Sequence, residues 1–435
     1  MGRRGHFQVT DLHQSGLKHV NSHGLHWFKA SIFIITDMMG AGMVALPVAI
    51  SNGGMIPGTI LLIAGAFFSC FTGIQLSQNW TIMQRRWSEY REHCRRPYPE
   101  MAFRAMGVKA KYAMDLCLAL TLYGVVTVFL LFSAKNISIL LEELFALYLD
   151  YCVLILIVSV VVWPFTLLHS PMHFWQAGAV AAGASIIAAV LIVVGIARDA
   201  PVCYQYVSYP EFSWTNLFLA YGTMVFSYGG HSAFPTIQHD MKRPSQFSKS
   251  VVVSYVVILL VYLLISLLGY AVYGQSIRES VIPSIQLKWI AVAVNILITL
   301  HVLPAILLIF SPLAQQVDEW LGVPLEFGYK RVISRSGVFL LCVFTAETVP
   351  KFGLILDLVG GSTVTLMTML LPSIFWLFLN TIDKQRRDDI PTITEIWLAT
   401  PRKLLVLNSV SLLFGLIGGI TATFTAISQA FFRKS

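Results

Sequence analysis

Two short stretches place polar and ionisable groups inside apolar surroundings. One reads Thr36, Asp37, Met38, Met39, Gly40, Ala41, Gly42, Met43, Val44, Ala45, Leu46, Pro47; the other reads Phe226, Ser227, Tyr228, Gly229, Gly230, His231, Ser232, Ala233, Phe234, Pro235. Glycine costs a helix about 1 kcal/mol relative to alanine and proline removes a backbone donor, so each stretch either unwinds or kinks. An unwound segment offers two chemistries. Half-helix starts present free N–H groups and a positive dipole end that suit a carboxylate, while unwound carbonyls suit an ammonium or a cation. A free amino acid carries both groups. Its carboxylate is expected against Gly40, Ala41, Gly42 and Met43, and its ammonium against the carbonyls of Phe226, Ser227, Tyr228 and Gly229, with Thr36 and Gly230 beside them.

Asp37 lies about ten residues into its apolar run, roughly 15 Å at the helical rise, near the depth of a bilayer midplane. A carboxylate there is disfavoured by about 3 kcal/mol. It therefore faces a cavity and carries a coupling proton, or it caps the unwound segment. His231 binds substrate, carries a proton or caps the second half of its broken helix. Tyr123 has the right depth to give its hydroxyl to a carboxylate, or serves as a core or interfacial tyrosine. Asn295 and Thr299, at four-residue spacing, either coordinate an ion with carbonyls near residue 36 or join helices by hydrogen bonds. His301, close to Pro304, reads as a packing histidine, and Asp357 as structural or gating. His6, His13, His19, His23 and His26 belong to a polar N-terminal tail.

These groups need a scaffold, and composition dictates which. Of 435 residues 56% are hydrophobic and only 12% charged, against about 25% charged in soluble domains. Apolar runs long enough to cross a membrane fall near residues 28–50, 56–83, 112–141, 151–168, 173–197, 214–235, 249–273, 287–312, 332–349, 352–380 and 404–431. The ninth is the weakest, because Arg335 lies inside its start. The expected organisation is a cytoplasmic tail over residues 1–27 and one all-α transmembrane domain over 28–432, with no removable signal peptide.

The formal charge of +8 does not point to nucleic acid, because the basic residues sit in short loops. With the N-terminus inside, the inner segments hold 23 of the 30 Lys and Arg, a positive-inside asymmetry that puts the C-terminus on the opposite face. Six cysteines are scattered without metal-binding or disulfide spacing, although Cys152 and Cys203 share a face. No cofactor or metal is expected. No paired-aspartate or serine motif suggests an enzyme, and no carbonyl-filter loop suggests a channel.

The breaks fall in spans one and six, the corresponding members of two five-helix halves, and such paired interruptions point to a transporter site. The residues Gly40, Gly42, Leu46 and Pro47 resemble the Gly-x-Gly-x-x-x-Leu-Pro element of the amino acid/auxin permease family. The run Tyr228-Gly229-Gly230-His231 through Pro235, Ile237, Met241 and Pro244 resembles the sixth-helix signature of its vacuolar and vesicular neutral amino acid branches, and Leu358-Val359-Gly360-Gly361-Ser362 with Leu371-Pro372 its tenth helix. The resemblance implies an eleven-helix, leucine-transporter-like fold of five plus five inverted repeats, moving neutral or small amino acids by secondary, proton-coupled transport in the plasma membrane or an endolysosomal or vacuolar membrane. Sodium-coupled relatives carry Asn where this chain has Thr36, which weakens a sodium claim. Sodium coupling, exchange, and an amino-acid sensor that keeps the carrier fold are the competing readings.

Overall fold

Apolar runs of about twenty residues have one stable solution in lipid, an α-helix that satisfies its backbone groups internally. The computed structural model describes residues 24–92, 94–168, 175–324 and 326–431, and over these the chain is almost entirely helical. Every expected run coincides with a helix or a broken pair of helices. Span two is Met55–Arg86, three Val108–Phe145, four Tyr151–Thr166, five Trp175–Cys203, seven Phe247–Tyr273, eight Lys288–Trp320, nine Tyr329–Thr348 and eleven Arg402–Phe431. Among the described residues, seven helical units are long and apolar enough to cross a membrane by themselves, and the bent first span makes an eighth. Span four is shorter, span six is split, and span nine begins on charge.

That polar start has a structural explanation. Arg335 is buried, its Nε donating to Asp318 at 3.1 Å and its guanidinium to the carbonyls of Leu168 at 2.9 Å and Thr166 at 3.3 Å. A buried cation is tolerated when it is paired and its donors are used. Arg335 thereby joins span nine to the ends of spans four and eight.

Three spans are irregular. Span one runs as Trp27–Met38 and Ala41–Gly53, its halves bent by 57° about Gly40. Span six runs as Trp214–Ser227, a turn, and Phe234–His239, with Pro235 in the first turn, where no N–H is needed. Span ten starts as Phe352–Val359, widens into π-turns over Gly360–Val364 and Leu366–Leu370, and resumes as Leu371–Gln385. The second half of span one packs on the first half of span six, span two lies against seven and ten, and spans three and five flank span eight.

Asn136 and Asn79, each in a glycosylation-type triplet, are buried within spans three and two, so neither can carry a glycan. All six cysteines are free, Cys152 and Cys203 included. His6, His13, His19 and His23 lie outside the described residues, whereas the His26 ring accepts from the Phe28 N–H and caps span one.

Candidate functional site

The two breaks meet. A Cβ built on Gly42 would lie 2.5 Å from the Ser227 hydroxyl oxygen and 2.8 Å from its Cα, so glycine here permits the close approach of spans one and six rather than leaving room for a ligand. Tyr262 of span seven fastens the junction, its hydroxyl lying 2.7 Å from the Met38 carbonyl and 3.0 Å from that of Ser227. The Tyr255 hydroxyl donates to the Tyr228 carbonyl at 3.1 Å, and the Gly229 N–H to Phe226 at 3.0 Å. Three of the four carbonyls expected to receive an ammonium therefore already accept from the protein. Two tyrosines of span seven, invisible to a motif search, account for two of them, and the backbone turn itself for the third.

Asp37 stands apart. It is exposed, although Thr36 and Met38 on either side are buried. A Cβ on Gly230 would lie 3.1 Å from its carboxylate, which places the group beside the sixth-span break. Among the described residues it has no ion-pair or hydrogen-bond partner, and no side chain caps the helix that starts after Gly40. The capping alternative is not formed. Thr36 instead turns its hydroxyl to the carbonyls of Ile32 and Phe33, 3.0 Å from each. Ala41, Met43, Ser227 and Tyr228 are buried, while Phe226 is half-buried.

His231 is fully buried against span two. Its Nε2 lies 3.1 Å from the Ser69 carbonyl and 3.2 Å from the Thr72 hydroxyl, and its ring stacks on Phe234 with centroids 4.7 Å apart. A carbonyl only accepts, so Nε2 carries the hydrogen and buried Nδ1 is left without a partner. His231 caps nothing at the start of Phe234–His239. Tyr123 is not brought to the breaks, because its hydroxyl meets Thr345 and the Leu341 carbonyl on span nine. Asn295 donates to the Asn136 carbonyl at 3.1 Å and so joins span eight to span three, whereas Thr299 donates to the Asn295 carbonyl at 2.8 Å within its own helix; the Asn295 Oδ1 is buried and unpartnered.

His301 is the residue that sequence reading undervalued. Its Nε2 would lie 3.0 Å from a Cβ on Gly40, so the ring edge abuts the first-span break. Its Nδ1 lies 3.2 Å from the Ala181 carbonyl and 2.8 Å from the Ser185 hydroxyl of span five. Nδ1 thus carries the hydrogen, and the neutral ring offers Nε2 as an acceptor at the break. The packing of span eight on span five holds the ring there; its proximity to Gly40 has no signature in sequence spacing.

On the span-three side aromatic rings line the approach to the breaks. Phe129 of span three comes within 4.0 Å of a Cβ on Gly40, and one turn further Phe132 stacks on Phe352 of span ten, centroids 4.7 Å apart and both rings buried.

A bundle with paired broken helices, an unpaired carboxylate beside them and an aromatic plug to one side defines a multi-pass membrane carrier. Comparison with known proteins agrees: residues 23–424 match the family model described as transmembrane amino acid transporter protein, and the chain belongs to that family. It is similar to amino acid transporter AVT1B of Arabidopsis thaliana, 24% identical over 371 residues, which cover 83% of this chain and 65% of AVT1B. It is also similar to lysine histidine transporter-like 1 of the same plant, 25% identical over 426 residues, with 92% and 88% covered. Among solved structures, MhsT in complex with L-phenylalanine shares the fold, with a TM-score of 0.58 at 13% identity over 92% of this chain and all of that one.

Proposed function

We propose that this protein carries neutral amino acids across a membrane by alternating access at the paired breaks, coupled to a proton. The observation behind this is Asp37, an exposed carboxylate beside the breaks that has no protein partner among the described residues. With the carbonyls of Ser227 and Tyr228 already accepting from tyrosines, Asp37 is the charged acceptor beside the breaks for the substrate ammonium. The substrate carboxylate goes to the start of Ala41–Gly53, whose first turn has no side-chain cap. Depth in the membrane disfavours the charge on Asp37 and the substrate ammonium favours it, so substrate occupancy and protonation are linked at one group. Alternating access requires the breaks to open to one face at a time. An exposed carboxylate at Asp37 and the aromatic stack of Phe132 on Phe352 support that reading.

The charge asymmetry supports a cytoplasmic N-terminus, and the resemblance of the sixth span to vacuolar and vesicular branches supports the plasma membrane or an endolysosomal or vacuolar membrane as the site of action. Sodium coupling is the second reading, favoured by one observation, the unpartnered Asn295 Oδ1 between spans eight and three.

The test is uptake of labelled neutral L-amino acids into proteoliposomes under imposed pH or sodium gradients. A pH gradient alone should drive accumulation, and Asp37→Asn should lower it by at least about tenfold, the effect of losing ~1.4 kcal/mol. Accumulation that requires sodium would overturn proton coupling, and saturable binding without flux would make the protein a sensor.

A further inference from the structure

Beyond the aromatic plug lies a cavity of about 380 Å³ that the breaks do not use. One face of span three supplies Lys135, Ser138 and Glu142, and the connection between spans seven and eight supplies Arg278 and Glu279. Its floor is the buried stack of Phe132 on Phe352. We propose that this cavity is a second binding site, for a zwitterionic α-amino acid waiting beyond the plug. The inference rests on the amino acid reading of the breaks.

Charge selects the ligand class. The walls carry two cations and two anions, so an anion or a cation alone would leave opposite charges unmatched, whereas a zwitterion satisfies both signs. Lys135 and Glu279 form a long pair at 3.6 Å with both side chains largely exposed, which a ligand opens at little cost. The side chains of Arg278 and Glu142 have no hydrogen-bond or ion-pair partner among the described residues. Arg278 and Lys135 take the carboxylate, Glu142 and Glu279 the ammonium, and the phenylalanine floor receives an apolar side chain. The volume lies within the range of small-molecule sites, roughly 300 to 1,000 Å³. Phe132 is one helical turn from Phe129, which reaches Gly40, so a rotation of the plug would connect the two sites.

The test introduces Ser138→Cys into the full chain lacking Cys152 and Cys203 and measures its rate of modification by a membrane-impermeant thiosulfonate. A mixture of neutral L-amino acids should slow modification about tenfold or more at saturation, while the matching amines and N-acetyl amino acids should not. Arg278→Gln and Glu142→Gln should each abolish protection. Asp37→Ala, which removes the ammonium partner at the breaks, should leave it intact. Protection by amines alone, protection lost in Asp37→Ala, or no modification of Ser138→Cys would overturn the site. Uptake without protection would remove this site and leave the transport reading standing; protection without uptake in any gradient would do the reverse.

Discussion

At the residue scale, Gly42 and Gly230 look alike in sequence, two glycines in two broken helices, and the structure separates them. Gly42 faces the backbone of Ser227, which cannot move without parting spans one and six; Gly230 faces the ends of Asp37, Met38 and Phe234, which can. Gly42→Ala should therefore destabilise the protein by about 1 to 3 kcal/mol, the usual cost of overpacking a rigid contact, and Gly230→Ala by less than ~1 kcal/mol. Thermal melting of the purified variants checks this. Equal melting temperatures would mean that Ser227 is not held against Gly42. The motif announces both glycines, but only the contact distances tell which one closes the junction and which one borders the accessible carboxylate.

At the element scale, the half-helix Trp27–Met38 is tied at each end. Leu25 exchanges backbone hydrogen bonds with the segment after span six, its N–H to the Asp240 carbonyl at 2.8 Å and its carbonyl from the Lys242 N–H at 2.7 Å. At the other end Tyr262 holds Met38 and Ser227 together. The first half of span one is thereby fastened at its start to the segment that follows the second half of span six, so these two half-helices should move as one body during the transport cycle. Tyr262→Phe keeps the ring and removes the clasp, a neutral hydrogen bond worth about 1 kcal/mol. The expected outcome is faster hydrogen exchange over residues 36–43 and 226–231, with exchange in span eleven unchanged, read by mass spectrometry. Unaltered exchange at the breaks would show that the clasp is not what fastens them.

At the scale of the whole molecule, eleven spans and a 23 to 7 division of Lys and Arg predict that the two termini lie on opposite faces. A protease site at the N-terminus should be cut from the cytosolic side only and one at the C-terminus from the other side only. Both cut from one side would remove the five-plus-five arrangement and with it the pairing of spans one and six. The spans and their two breaks were readable from the chain because lipid allows so few backbone solutions: hydrophobic length announces a crossing, and Gly with Pro inside it announces an interruption. The weakest expected span, the ninth, is a helix over Tyr329–Thr348, and its Arg335 is held by Asp318.

What each side chain touches across the bundle was not readable, because contact between spans depends on helix rotation and crossing, which hydrophobic runs bounded by lipid on many faces do not encode. Tyr123 has the right depth and the wrong azimuth, turned to span nine; His301 has an unremarkable sequence neighbourhood and the azimuth that meets Gly40. The same reason hides the tyrosines that occupy the Ser227 and Tyr228 carbonyls and leaves Asp37 without a partner. Sequence by itself determined the membrane, the number of crossings and the two places where helices must break; tertiary packing alone decided which groups at those breaks remain free to meet a ligand.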